Sequence, residues 1–219
     1  MAKQVKSTPY KVSMVFGGKP IPPEEELKEF DRFGILLKES QKFCKRVGLQ
    51  KDLILKILKT DSDWAFILKV DALLESAAKH IIHHGLQIQL LNRIRRSESL
   101  HEFIDTLSMN GRTSLLKLLH AAGLPDDELE FVEVTRLVRN AYAHNIEYAD
   151  LNLVELIKSR KDKSRLVKHL SAMKEYDEVD LLASVTKDPM FLRFCIIDST
   201  MRFLLYGYHL TATKRRRSR

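Results

Sequence analysis

From residue 61 onward, apolar positions recur every three or four residues with little interruption. Ile67, Val70, Leu74, Ala77 and Ile81 fall on one helical face, while Asp71, Glu75 and Lys79 form a polar stripe on another. Asp61-Ser62-Asp63 offers an N-cap cluster for this helix, and Gly85 is expected to end it. Helices are expected next at about 86–96, 98–109 and 113–122, up to the break at Gly123-Leu124-Pro125. Asp126-Asp127 should cap the following helix, with a core stripe of Val134, Leu137, Val138 and Ala141. Beyond Asn145, periodicity predicts helices at about 150–160, 164–175 and 189–210, the last apolar enough to be central. At the other end, the prolines of Gly17-Gly18-Lys19-Pro20-Ile21-Pro22-Pro23 cannot continue a helix, so residues 1–23 read as an irregular arm. Glu24-Glu25-Glu26 then opens a helix, acidic where the dipole favours it, that runs to about Val47 before Gly48. No alternating run is long enough for a sheet, and the expected class is all-α.

Composition narrows this picture. With 44% hydrophobic and 30% charged residues, the chain is globular in character. Its greasiest stretch, Met190 to Leu210, is cut by Arg193, Asp198 and Arg202, which argues against a membrane span. The first residues lack the apolar run of a secretion signal, and Cys44 and Cys195 have no metal-type spacing. Two idle thiols in a cytoplasmic protein are the expectation. The net charge of +8 is unevenly spread. Residues 1–60 hold 13 Lys/Arg against 7 Asp/Glu, residues 61–148 hold 9 against 13, and residues 149–219 hold 15 against 9. An acidic middle therefore lies between basic flanks, which suit a polyanion or are simply solvated faces.

The readable chemistry lies in Arg136-Leu137-Val138-Arg139-Asn140-Ala141-Tyr142-Ala143-His144. Arg139 and His144 form an Arg-x4-His pattern with an amide directly after the arginine. Asn140 and His144, four apart, share a helix face, so Asn140 is placed to hydrogen-bond the imidazole; Arg136 lies one turn earlier on that stripe. Arg139 and His144 are five apart, about 140° around an ideal helix, so one helix aims them differently. Arg96 and His101 repeat the bare spacing, but without the amide and across a helix start at Ser97.

With its context, this segment resembles the HEPN superfamily. A long helix precedes it, a Gly-Leu-Pro break opens its helix, and a long apolar helix follows. The resemblance covers roughly residues 61–210, leaving the arm at 1–23, a helical extension at 24–60 and a basic tail at 211–219. It implies an antiparallel helical bundle that dimerises so that two motif helices line one groove. It also implies metal-independent RNA cleavage without a cofactor. Arg139 would hold the phosphate and stabilise its growing charge, and His144 would move a proton at the 2′- or 5′-oxygen. A toxin or defence effector, with a possible antitoxin or regulatory protein as partner, follows by the same resemblance. A silent regulatory or scaffold domain, similar to the mannitol-operon-repressor branch, is the alternative, and a nucleic-acid-binding adaptor the third.

Other groups are weighed against plainer roles. Glu75 is a candidate acid to orient Arg139, or else a surface pair with Lys79. His80, His83 and His84 have a spacing zinc could use, but no further ligand is evident, and cations suit a helix C-terminus; no metal is expected. Tyr142 reads as a core or dimer contact before a base-stacking one. Arg215, Arg216 and Arg217 are candidates to contact nucleic acid, in a tail expected to be disordered.

Overall fold

The periodicity is realised in a computed structural model that describes residues 23–90, 97–171 and 178–217. Among these there are ten α-helices, a short 3-10 turn at Ile146–Tyr148, and no strand. The expected irregular arm lies outside the described residues up to residue 22, and Pro23 already belongs to the first helix.

The centre is a pair of long helices, α3 (Asp63–Leu90) and α10 (Pro189–Arg217). Phe66, Ile67, Val70, Leu74 and Ala77 of α3 are fully buried, as are Leu192, Ile196, Met201, Phe203 and Leu204 of α10. Each of these side chains other than Ala77 is worth roughly 1.5–3 kcal/mol when removed from water. The two helices run parallel. Arg193 near the start of α10 binds Asp63 at the start of α3, whereas Gly207 meets Ile81. A Cβ at Gly207 would sit 2.8 Å from Ile81 Cγ1, so glycine sets this close approach.

On α10 lies α1 (Pro23–Arg46), which buries Leu36, Phe43 and Cys44. Arg46 donates to Thr211 Oγ1 at 3.1 Å and stacks 4.5 Å over the Tyr208 ring. The short α2 (Leu53–Leu58) adds Ile54 and Ile57 to the same core, so residues 24–60 are built into the bundle. Four further helices follow along α3 and α10: α4 (Ser97–Thr106), α5 (Leu115–Ala121), α6 (Asp126–His144) and α7 (Leu153–Ser159). The last two described are α8 (Lys163–Ser171) and α9 (Glu178–Lys187).

The charges that interrupt Met190–Leu210 are paired inside the fold, although Arg202 Nε has no aligned hydrogen bond. Buried Arg193 pairs with Asp63, donates to the carbonyls of Thr60 and Asp61, and covers the Phe66 ring at 5.0 Å. Arg202 pairs with Asp198 at 3.3 Å and donates to Ser199. No helix among the described residues is long and apolar enough to cross a membrane. Cys44 and Cys195 are both buried and unpaired, and burial pushes their thiols up, to about 11 and about 12.

Several boundaries differ from the sequence expectations. Gly85 does not stop α3, which continues to Leu90, because the packing of α3 outweighs one weak helix former. The expected helix at 86–96 is in its first residues the end of α3, and the rest lies outside the described residues. Pro125, and no aspartate side chain, caps α6; Asp126 and Asp127 sit in its first turn. The buried stripe of α6 is Phe131, Val134, Thr135, Val138 and Tyr142, with Leu137 and Ala141 only half-buried. The α9 helix was not expected, and α10 carries helical backbone to Arg217, through much of the tail read as disordered.

Candidate functional site

The polar side of α6 meets the polar stripe of α3. Arg136 pairs with Glu75 and Asp71, while Arg139, further along α6, pairs with the earlier Asp71, so the two helices run antiparallel. Asp71 is the hub. It is only 3% exposed and lies 3.2 Å from Arg136 Nη1 and 3.3 Å from Arg139 Nε. The second contact is an ion pair without an aligned hydrogen bond, because Arg139 Nε has no hydrogen-bond acceptor. Burial, helped by the nearby Glu75 charge, pushes the Asp71 carboxyl up against the pull of both guanidinia. For Glu75, burial pushes upward too, but Arg136 at 2.8 Å and Lys79 at 3.3 Å outweigh it and hold the carboxyl below its ordinary value.

Arg139 Nη1 also donates to the Asn140 side-chain oxygen at 2.9 Å. Asn140 therefore steadies the guanidinium, where the helical spacing had suggested the imidazole. Glu75 makes the pair with Lys79 and orients Arg136, with no ion pair to Arg139. Asp71 is the residue that sequence reasoning passed over. Its signal was its place four residues before Glu75 on the same stripe, facing Arg136 and Arg139 three apart on α6.

His144 is the last residue of α6 and is exposed. Its ring makes no hydrogen bond or ion pair with the described residues. Arg139 retains about a third of its side-chain exposure. Asn145 ends α6 in extended backbone and then accepts from Glu147 N, opening the 3-10 turn. That turn leaves Ile146 85% exposed, just past the motif. Tyr142 is core: its ring is buried, and its hydroxyl donates to the Leu151 carbonyl at 3.1 Å.

The cations and carboxylates of the site balance in number. Arg136, Arg139 and Lys79 face Asp71 and Glu75, with the exposed Asp105 4.0 Å from Lys79. The exposed part of the Arg139 side chain can take a phosphate.

Of the other candidates, His101 stacks on His83, and Arg96 lies outside the described residues. Among the described residues no group of three or more His, Cys, Asp or Glu is placed to hold a metal ion. Arg215, Arg216 and Arg217 stand on the helical backbone of α10, with their side chains outside the description. No protein-family model, curated protein or solved structure matches this sequence.

Proposed function

We propose that this chain is a metal-independent endoribonuclease of HEPN type, acting as a homodimer on RNA. The observation that carries this reading is the Arg139-Asn140-x3-His144 set at the end of α6, with Arg139 steadied by Asp71 and Asn140 and an exposed imidazole as the last residue of the helix. In the proposed reaction the 2′-oxygen attacks phosphorus and the bond to the 5′-oxygen breaks. The imidazole takes the 2′ proton or supplies one to the leaving oxygen, and Arg139 stabilises the charge on the phosphoryl oxygens. A second copy would bring its own Arg139 and His144 to one groove and cover Ile146, which a lone chain leaves in water. The basic residues Arg215–Arg217 would add non-specific phosphate affinity. A cytoplasmic toxin or defence effector, restrained by an antitoxin or other regulatory protein, fits this chemistry.

One observation favours a silent regulatory or scaffold role instead. Asp71, Glu75 and Asn140 between them already occupy Arg136 and Arg139, as in a structural ion network.

A cleavage assay with purified full-length chain separates the two. His144→Ala should lower the rate by about 10² to 10⁴, and Arg139→Ala by about 10² to 10³. Asn140→Ala should do less damage and Arg96→Ala none. Cleavage should persist in EDTA and spare DNA of the same sequence, which lacks the 2′-hydroxyl. A wild type that leaves RNA intact, or a His144→Ala variant as active as wild type, rejects the enzyme and leaves the scaffold.

A further inference from the structure

The polar stripe of α3 does not stop at the candidate site. Asp71, Glu75, Lys79 and His83 follow at four-residue intervals, so they line one side of the helix. The last two meet α4 in two rungs. His83 and His101 stack with ring centroids 3.6 Å apart and planes inclined by 29°. One turn away, Lys79 Nζ lies 4.0 Å from an Asp105 carboxylate oxygen and 3.4 Å from its backbone carbonyl. Pairing 83 with 101 and 79 with 105 makes the two helices antiparallel here. Apolar support for α4 rests chiefly on buried Ile104 and, just past the helix, Leu107. Phe103 points outward, 52% exposed.

The imidazole rung is built for the uncharged state. His83 is only 9% exposed, and its buried Nε2 has no hydrogen-bond partner, so a proton there would be a buried charge without an acceptor. The groups around it are mostly bases. From α3 come Lys79, His80 and His84; from α4, His101 and Asp105, the one carboxylate among the described residues that acts on His83; Arg46 of α1 acts on the adjoining His80. Asp105 is exposed and shared with Lys79. Burial first, then His101 and His84, lower the proton affinity of His83. Burial and the neighbouring cations take His80 to about 4.

We propose that the α3–α4 contact is a proton-sensitive latch: the uncharged His83/His101 rung holds α4 on α3, and protonation of the rung releases it. Two stacked imidazolium rings repel, and a charged His83 gains by turning to water, which it can do only if α4 moves away. The α7 helix carries no histidine and keeps its packing. The latch is independent of the ribonuclease reading, since it concerns the hold on one helix and is read without RNA.

Hydrogen exchange of the full chain at about pH 7.5 and about pH 5, corrected for intrinsic rates, tests it. Peptides covering 97–106 should lose protection on acidification by about tenfold or more, the factor that one unit of differential proton affinity brings. Peptides covering 153–159, which contain no histidine, should hold theirs. His101→Phe keeps a ring on His83 but carries no charge, and should abolish most of the pH response. His101→Gln removes the stack and should leave α4 fast-exchanging at both pH values. An α4 response equal in wild type and His101→Phe overturns the proposal. So does a wild type without a response, or an equal loss in all helices.

Discussion

At the residue scale, the carboxylates of this fold are pulled in opposite directions by their partners. Glu75 is held charged by Arg136 and Lys79. Glu128, in the first turn of α6, is 5% exposed with one oxygen unpartnered, and burial raises it to about 7. Arg202 pulls it back and Asp198 adds to the rise. The sign follows from linkage. A carboxyl whose folded value is raised gives its full support below about 4.5 and loses it as pH rises to about 7. Glu128→Gln should therefore be more stable than wild type above neutrality, by on the order of 2 kcal/mol, with the gain vanishing near pH 4. Denaturant midpoints across that range check this; parallel curves for the two proteins would place the charge elsewhere. Half-buried His80 acts in the other direction, costing stability as pH falls below about 6.5 towards about 4.

At the element scale, two glycines inside long helices have opposite meanings. At Gly85 a Cβ meets nothing within 4 Å, and the helix runs through it. Gly85→Ala should stabilise by about 0.5–1 kcal/mol through lower backbone entropy of the unfolded chain. At Gly207 the same methyl runs into Ile81, with Phe43 3.5 Å away. Gly207→Ala should destabilise by about 1–3 kcal/mol, as overpacking does, by pushing apart α10 and α3. Thermal melts of the two variants should move in opposite directions. A rise for both would mean that the α3–α10 crossing is looser than described.

For the whole molecule, the helices share one buried cluster, from Leu36 of α1 to Leu204 of α10. Removing residues 1–47 would strip Leu36, Phe43 and Cys44 from that cluster and bare the apolar surface of α10 that they cover. The truncated chain should lose the cooperative thermal transition of the full chain and aggregate. A soluble truncation with an unchanged melting temperature would show that the bundle folds without α1.

The all-α class and most helix positions were legible because a helix needs only local information: apolar spacing, a few caps, and little Gly or Pro. The Arg139-to-His144 motif was legible for the same reason, as one stretch of one helix. What the sequence left open depends on partners distant along the chain. Gly85 reads locally as a stop and is overruled by the packing of α3. Leu137 looks as apolar as Val134, yet only the docking of α6 decides which stripe is buried. Asp71 became the hub of the candidate site because α6 runs antiparallel to α3 and brings Arg136 and Arg139 onto it, across 65 residues of chain in the first case. The same distance hid the pairing of Asp63 with Arg193, 130 residues apart, which makes an N-cap candidate the anchor of a buried guanidinium. Periodicity sets which elements form, whereas the burial of charge, which depends on three-dimensional neighbours, sets which residues meet.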